Sequence, residues 1–349
     1  LVQYIHEHPT FIQPEIRRNE VLGFLRRMLG DLCISRPVER LSWGIPLPFD
    51  HGYVCYVWFD ALINYLSGLG YPDDPAFPER WESVEHVVAK DILKPHGVFW
   101  PTMLRAAGFP LYKRLYVHGY WNVDERKVSK SLGNMISPLP MRDRYGFDAF
   151  RYFLLRDMTF GLDSNFTEQA LVTRINADLA NNLGNLVSRT LNMTARFCEG
   201  RVPEPGASGE LETSVEATAS GAAEAVDGFV RRLEFHRALE TIFTVVDATN
   251  RYLDARAPWK AAKDPDREEE VRTTLYTCCQ ALRSVALLLA PFIPDASRTI
   301  LERLGLPDAV ERARLPEDAS SWDSPPPGTP TTKGASLFPR VELPEIEAG

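Results

Sequence analysis

Two lysines and a serine lie close together in the segment 127–134, which reads KVSKSLGN and contains Lys127, Ser129 and Lys130. Lysines at this spacing, among small hydroxyl side chains and just before a glycine, suit a mobile loop that binds a triphosphate. Their ammonium groups would offset the negative charge that builds on departing pyrophosphate, and electrostatic stabilisation of this kind usually dominates such chemistry. By itself the pattern is weak evidence, because a Lys-x-x-Lys pair is also typical of a solvated surface loop.

Two aromatic side chains, Trp58 and Tyr65, lie seven residues apart. The pattern predicts Trp58 at the end of a strand and Tyr65 two helical turns later, so that both rings can line one pocket. Aromatic rings suit a thioether ligand, because polarisable sulfur gains by resting at a ring edge. Taken alone, the two rings and His96 are also typical of a hydrophobic core.

A carboxylate, Asp91, follows the apolar run 84–88 and precedes Pro95, which favours the first position of a helix. The run predicts a strand, so Asp91 is expected at the carboxyl end of a strand in an open α/β sheet. Ligands bind at that edge in such sheets.

Polar and aromatic residues in the second half of the chain suit contacts with RNA. Asn185 and Arg189 are four residues apart and share a helix face, and their donors and acceptors suit the edges of unpaired bases. Trp259 follows Pro258, where a helix is broken, which leaves its ring available for stacking. Proteins that read single-stranded RNA loops combine hydrogen bonds with aromatic stacking. A capped surface helix and a core tryptophan would explain the same residues.

Several stretches together resemble the methionyl-tRNA synthetases, a family of class I aminoacyl-tRNA synthetases. The lysine segment is similar to their Lys-Met-Ser-Lys-Ser loop, with Val128 in place of the methionine. Five further stretches look like that family and follow its order: 34–37 (ISRP), 41–46 (LSWGIP), 56–62 (YVWFDAL), 90–96 (KDILKPH) and 99–101 (FWP). The resemblance extends from residue 1 to about residue 306.

The resemblance implies an ATP-dependent methionine–tRNA ligase, which forms methionyl adenylate and passes the acyl group to the 3' end of its tRNA. ATP with Mg²⁺ is the implied cofactor, and methionine, ATP and the methionine tRNA with its CAU anticodon are the implied partners. Asp91 would accept hydrogen bonds from the adenosine ribose. The implied site residues are Lys127, Ser129 and Lys130 for catalysis; Lys90, Asp91, Lys127 and Lys130 for ATP; Trp58, Ala61, Leu62, Tyr65, Ile92 and His96 for methionine; and Asn185, Arg189 and Trp259 for the anticodon.

Two features depart from the family pattern. Ala89 stands where the family usually has glycine before Lys-Asp, so its methyl group either crowds the nucleotide or is tolerated by an unstrained backbone. The His-x-Gly-His loop that a class I synthetase uses for ATP does not occur in the sequence. We therefore expect the chain to be the carboxyl-terminal portion of a longer enzyme, lacking the first half of the catalytic domain and inactive alone.

The apolar patterning predicts an α/β part followed by an all-α part. Short apolar runs at 53–59, 84–88 and 115–117 alternate with helical segments, which favours a largely parallel sheet covered on both faces. Beyond residue 137 the pattern is helical, with further helices predicted around 222–253 and 268–289. One stripe of apolar residues indicates a core-facing helix: Leu171, Ile175, Leu179, Leu183 and Leu186.

With the resemblance, these elements predict the second half of a nucleotide-binding Rossmann-type parallel-sheet domain followed by a helix-bundle anticodon-binding domain. The catalytic part is placed at 1–121, with 1–30 returning from an absent connective peptide. A lysine-loop region that contacts the tRNA stem follows at 122–166, the anticodon-binding domain at 167–310 and a proline-rich tail at 311–349. The prolines suit either a wrapped or a disordered tail, and the family often has a segment like 337–340 (LFPR) near its end, which would suit packing against the body.

Composition and charge exclude several classes of protein. The sequence is 44% hydrophobic and 25% charged, as in ordinary globular proteins, and no apolar run approaches the roughly 20 residues that cross a bilayer. Five cysteines form no Cys-x-x-Cys pair, so no zinc or other metal site is expected within the chain. We expect a cytoplasmic protein with no membrane or DNA partner.

The net charge of −8 argues against nonspecific attraction to nucleic acid, but the charge is uneven. Residues 126–201 hold eleven Lys and Arg against seven acids, a net of +4, which leaves −12 for the rest. This excess suits either a polyanion-facing stretch or a solvated helix face.

Two other functions are considered. A noncatalytic tRNA-binding protein related to the synthetases would act through the anticodon residues, but the intact lysine loop, Asp91 and His96 argue against decay of the active site. A class I synthetase for leucine, valine or isoleucine is the second alternative. The pattern from Trp58 to Tyr65 and from Asp91 to His96 argues against it.

Overall fold

The computed structural model describes residues 1–27, 29–123, 126–127 and 137–343, the pair 126–127 by its backbone only. The chain divides into two compact units. The first unit comprises Leu1–Tyr120 and the short segment Phe160–Asp163; the second comprises Trp121–Thr159 and the chain from Ser164 onward. The segment 160–163 lies within the predicted region 122–166, yet its contacts are with the first unit.

The first unit contains short strands and helices in alternation. In chain order they are α1 (Val2–Glu7), β1 (Ile12–Gln13), α2 (Glu15–Leu25), β2 (Ser35–Pro37), β3 (Pro46–Leu47), β4 (Asp50–Cys55), α3 (Val57–Ala61), α4 (Asn64–Ser67), α5 (Phe77–Glu82), β5 (Glu85–Ala89), a 3₁₀ turn (Lys90–Ile92), a π-helical turn (Pro95–Phe99), α6 (Trp100–Ala106) and β6 (Arg114–His118).

A parallel sheet forms the centre of the first unit, with strand order β1-β6-β5. Strand β5 pairs with β6 over its whole length, in a register that sets Val87 opposite Tyr116. The predicted strands at 84–88 and 115–117 and the parallel arrangement are thereby confirmed. Four fully buried aromatic side chains pack around this sheet: Phe11, Trp81, Trp100 and Tyr112. Side chains of this size each bury about 150 to 250 Å², so they dominate the core.

The prediction of one strand over 53–59 is wrong. Strand β4 ends at Cys55 and belongs to an antiparallel sheet of order β2-β4-β3, and helix α3 begins at Val57. Val57 is 60% exposed, so the run is not covered on both faces. A short apolar run does not by itself distinguish a strand from a helix, and here it spans the junction of the two. Trp58 therefore lies in the first turn of a helix.

The second unit is mostly helical. Its elements are β7 (Trp121–Val123), β8 (Arg126–Lys127), α7 (Pro138–Tyr145), α8 (Phe147–Arg156), β9 (Ser164–Phe166), α9 (Glu168–Arg174), a π-helical stretch (Ile175–Gly184), α10 (Asn185–Phe197), α11 (Glu210–Arg231), α12 (Phe235–Arg256), α13 (Pro258–Ala261), a 3₁₀ turn (Pro265–Arg267), α14 (Glu268–Leu289), α15 (Pro294–Arg303), α16 (Ala309–Arg312) and α17 (Glu317–Ser320). A small sheet of order β8-β7-β9 precedes the bundle.

The bundle core confirms the predicted stripe, because its five residues from Leu171 to Leu186 are all buried. Helix α14 also matches its predicted bounds. Three glutamates occupy its first turn, where negative charge favours a helix start, and Pro291 follows shortly after its end.

The single helix predicted around 222–253 is two helices, α11 and α12. They meet at a tight turn in which Leu233 has a φ of +57°. Glycine or proline usually marks such a turn, and neither occurs between Arg231 and Phe235, so the sequence gives no local signal for it.

The proline-rich tail packs on the bundle over its described part, 311–343. Gln280 of α14 is fully buried, and both polar atoms of its side-chain amide bond to the tail. Its Oε1 accepts from the Ser324 N–H at 3.0 Å, and its Nε2 donates to the Pro325 carbonyl at 3.0 Å. Further along, Phe338 is 8% exposed within the bundle core. No helix in the described parts of the chain is both long and apolar enough to cross a membrane.

Candidate functional site

Three rings converge in the first unit as the sequence predicts. The Tyr65 hydroxyl lies 2.8 Å from Nε2 of His96, and the two ring centroids are 5.6 Å apart. The Trp58 ring meets the His96 ring edge-on at 5.9 Å. Helices α3 and α4 carry the tryptophan and the tyrosine, while the π-helical turn Pro95–Phe99 carries the histidine.

The hydrogen bonds fix the protonation of His96. Its Nδ1 lies 2.8 Å from the Ile92 carbonyl oxygen, which can only accept, so Nδ1 carries the proton. Nε2 of the neutral ring then accepts from the Tyr65 hydroxyl. Burial lowers the pKa of His96, partly opposed by the bond to the Ile92 carbonyl. The ring cluster is therefore polar but uncharged, which suits a neutral side chain better than an ion.

The other predicted methionine contacts differ in their exposure. Leu62 is fully buried in the core of the first unit, whereas Ala61 is exposed and Ile92, the last residue of the 3₁₀ turn, is half-buried. The structure thus brings Trp58, Tyr65 and His96 together. Ala61 is accessible to solvent and Ile92 partly so.

A second buried histidine, His86, was missed in the sequence. It is 4% exposed, accepts a hydrogen bond from the Trp100 indole N–H at 3.3 Å, and its ring lies 4.3 Å from that of Tyr65. Burial lowers its pKa to about 4, helped by the repulsion that would arise if the His86 and His96 rings were both protonated. In β5 His86 and Val88 are buried while Glu85 and Val87 are exposed, but Val87 is as apolar as Val88, so the sequence shows no alternation that could have found His86.

Lys90 and Asp91 lie at the carboxyl end of β5, as predicted, in the 3₁₀ turn that follows it. Asp91 is exposed and borders a cleft of about 520 Å³. The Lys90 ammonium donates to Asp163 at 2.6 Å, a partner that the sequence analysis did not identify. Ala89 has a φ of −79° and a ψ of 158°, an extended conformation open to any residue, which favours the reading that its methyl group is tolerated.

The predicted lysine loop lies mostly beyond the part of the chain that the structure describes. The backbone of Lys127 pairs with Asn122 across the strands β8 and β7. The side chain of Lys127, and the residues Ser129 and Lys130, are outside the described residues, so their roles stay predictions.

In the second unit, Arg189 and Trp259 come together. The Arg189 guanidinium carbon lies 5.1 Å from the centre of the Trp259 ring, and its Nη2 donates to Asp254 at 2.6 Å. Helix α12 ends at Arg256, Ala257 has a φ of +43°, and Pro258 opens α13, so the predicted helix break is present. It leaves Trp259 37% exposed.

Asn185 is exposed one helical turn before Arg189 on α10. An exposed indole beside a guanidinium can stack with a base, and an exposed amide nearby can bond to a base edge. The sequence analysis missed Asp254, which holds the arginine. Its position in the last turn of α12 gave no signal, because its partner is 65 residues away.

Among the described residues, no group of three or more His, Cys, Asp or Glu side chains is placed to hold a metal ion.

Comparisons with known proteins match nearly the whole chain. A family model described as tRNA synthetases class I (M) matches residues 1–191, and one described as the anticodon binding domain of methionyl tRNA ligase matches residues 202–348. The methionine–tRNA ligase of Caldanaerobacter subterraneus is 40% identical over 350 residues, which cover 98% of this chain and 53% of that protein. The ligase of Mycobacterium tuberculosis is 39% identical, with 100% and 67% covered.

Solved structures give the same result. Methionyl-tRNA synthetase of Mycobacterium tuberculosis, bound by methionyl-adenylate, superposes with a TM-score of 0.87 at 39% identity and covers 97% of this chain and 66% of that one. The free form of the same protein gives a TM-score of 0.86. The chain spans about half the length of several bacterial ligases that it matches, such as that of Bacillus subtilis, of which it covers 52%.

Proposed function

This chain belongs to the methionyl-tRNA synthetase family of class I synthetases, and we propose that it supplies the methionine pocket, the ribose contact and the anticodon reader of an ATP-dependent methionine–tRNA ligase. The observation that carries the proposal is the neutral cluster of Trp58, Tyr65 and His96, of which His96 lies on the π-helical turn that follows the Lys90–Asp91 turn along the chain.

The ring cluster supports selection of a thioether side chain. A charged side chain placed there would be desolvated beside a neutral histidine and a tyrosine whose proton is already donated, which is unfavourable. A methionine sulfur needs no hydrogen-bond partner and is polarisable, so the edges of Trp58 and Tyr65 are suitable contacts.

At the turn after β5, the Asp91 carboxylate is proposed to accept hydrogen bonds from the ribose hydroxyls of ATP. Its exposure beside the cleft supports this role. Lys127 and Lys130 are proposed to offset charge as a carboxylate oxygen of methionine bonds to the α-phosphorus and pyrophosphate leaves. Mg²⁺ would arrive bound to the nucleotide phosphates. An ion bound in this way needs only one or two protein carboxylates as further ligands.

For tRNA, the exposed Trp259 ring is proposed to stack with an anticodon base, while Arg189 and Asn185 hydrogen-bond to base edges. The contact between the Trp259 indole and the Arg189 guanidinium supports this role. Stacking on the ring and a cation–π contact from the arginine can then act on the same base. After adenylate formation, the terminal tRNA hydroxyl would attack the methionyl carbonyl and AMP would leave.

We further propose that the 349 residues alone do not form the adenylate, because the sequence holds no His-x-Gly-His loop. Fusing the chain to the amino-terminal part of the Mycobacterium tuberculosis relative should give exchange of pyrophosphate into ATP that requires methionine. Leucine, isoleucine and valine should not replace methionine. A folded fusion that exchanges with one of these instead of methionine would overturn the assignment.

The anticodon proposal can be tested on the chain as it is, since binding needs no ATP site. Its affinity is measured for a tRNA bearing CAU and for the same tRNA with the first anticodon base changed. Clear preference for CAU supports the proposal, whereas equal binding would show that Asn185, Arg189 and Trp259 do not read the anticodon. Preference for CAU without exchange activity in the fusion would favour the noncatalytic tRNA-binding alternative.

A further inference from the structure

The segment Phe160–Asp163 packs within the first unit although it comes some forty residues after the rest of that unit. Its backbone is held closely. Nη2 of Arg17 donates to the Gly161 carbonyl at 2.6 Å. A Cβ added at Gly161, where φ is +93°, would overlap Pro14, and one added at Gly119 would overlap the Leu162 carbonyl. Glycine at both positions permits this approach.

The carboxylate of Asp163, at the end of this segment, joins two distant parts of the unit. Its Oδ2 accepts from the Lys90 ammonium at 2.6 Å, and its Oδ1 accepts from the Tyr120 backbone N–H at 2.9 Å. The two hydrogen bonds, that to Lys90 first, lower the pKa of Asp163, so the carboxylate is charged at neutral pH. The side chains of the ion pair are only 28% and 34% exposed.

Lys90 directly precedes the proposed ribose contact, Asp91, in the 3₁₀ turn, and its ammonium also contacts Tyr120. The ammonium lies 4.7 Å from the centre of the Tyr120 ring. Burial, and then the Asp91 carboxylate, raise the pKa of Tyr120. A lysine on its flexible four-carbon stem samples many positions unless a partner restrains it, and Asp163 provides that restraint.

We propose that Asp163 is a positioning residue for nucleotide binding. Its carboxylate fixes the Lys90 ammonium and the backbone N–H of Tyr120. It thereby holds in place the carboxyl end of β5, where Asp91 is proposed to accept hydrogen bonds from the ribose. The inference rests on the proposed function, since that strand end is the proposed ATP contact. Asp163 acts through its neighbours and does not itself touch the nucleotide.

The first test needs no activity and uses the 349-residue chain. Reductive methylation by formaldehyde and cyanoborohydride is followed at Lys90 by peptide mass spectrometry in the parent and in Asp163→Asn. The amide keeps an acceptor for the Tyr120 N–H but removes the charge beside the ammonium. Methylation of Lys90 should become faster by about twofold to fivefold, the range for loss of a partly exposed ion pair. Unchanged labelling overturns the proposal.

Glu85→Gln is the matched control, because Glu85 lies 3.6 Å from the Lys113 ammonium in the same unit. It should raise labelling of Lys113 and leave Lys90 unchanged. An equal rise at both lysines in Asp163→Asn would indicate general loosening of the unit and would overturn a specific role.

The second test uses the fusion described above. Asp163→Asn should raise KM for ATP in pyrophosphate exchange by about threefold to tenfold, while KM for methionine stays unchanged. Glu85→Gln should change neither. A similar rise in both KM values would show a merely structural role and overturn the inference. If the unsubstituted fusion shows no exchange, the proposed function fails, while the labelling of Lys90 still decides whether Asp163 positions it.

Discussion

His86 is buried at the centre of the first unit, with the rings of Tyr65, His96 and Tyr112 around it and the Trp100 N–H bonded to it. If its imidazole bound a proton there, the charged ring would be buried without water to solvate it, which is unfavourable. Its pKa of about 4, against 6.5 for an ordinary histidine, therefore links protonation to unfolding. The unfolded chain takes up the proton first as the pH falls.

We predict that the free energy of unfolding decreases as the pH falls from about 6.5 to about 4, by up to about 3 kcal/mol from this residue. The contribution is fully present above pH 6.5, because both states are then neutral. Urea unfolding followed by near-ultraviolet circular dichroism measures it. His86→Gln should flatten the dependence, and His8→Gln, at an exposed histidine, should not. An equally steep dependence in His86→Gln would contradict the assignment.

The sequence was informative about single residues only where their roles are local or belong to a family motif. The approach of Trp58, Tyr65 and His96 was predicted, as was the position of Asp91 after its strand. Asp163 was not, because its bonds join residues 73 and 43 positions away, and no spacing reports such a contact.

At the scale of elements, the break between α12 and α13 makes the Trp259 ring available. Removing that ring should weaken binding of the CAU tRNA by about 1 to 3 kcal/mol, the usual cost of losing a stacked base. The measurement is the dissociation constant of the chain with Trp259→Ala. Trp259→Phe, which keeps a ring, should lose less. Equal losses in the two variants would count against stacking.

The same break depends on Ala257, whose φ of +43° is in the left-handed region that side chains disfavour. Ala257→Gly should raise the free energy of unfolding by up to about 1 kcal/mol, because glycine adopts this conformation without strain. Ala217→Gly, at an exposed position inside α11, should lower it by about 1 kcal/mol. Chemical denaturation compares the two substitutions, and the same sign in both would disprove the strain argument.

Element bounds were predictable where composition changes at the boundary. Helix α14, with acids at its start and proline after its end, was placed correctly. The junction of β4 and α3 and the turn at Leu233 were not, because apolar residues continue through the first and no glycine or proline marks the second.

At the scale of the whole chain, charge is divided unequally: residues 126–201 carry +4 and the remainder −12. Lysine and arginine contacts to phosphates release counterions but carry no information on base identity. We therefore predict that tRNA affinity falls steeply as salt is raised, while the ratio of affinities for CAU and altered anticodons stays nearly constant. Titrations at several salt concentrations measure both quantities. If the ratio falls to one as salt is raised, charge and not base contact produces the preference for CAU.

The placement of Phe160–Asp163 in the first unit also bears on how this protein can be divided or recombined. The units are not contiguous stretches, so exchanging one for its counterpart in another synthetase requires crossovers near residues 120, 159 and 163 rather than one. A fragment cut at Tyr120 would keep Lys90 and Asp91 but lose the carboxylate that holds the lysine. An exchange that follows only the order of the sequence would therefore transfer the proposed ribose contact at Asp91 without the carboxylate that holds its neighbour Lys90.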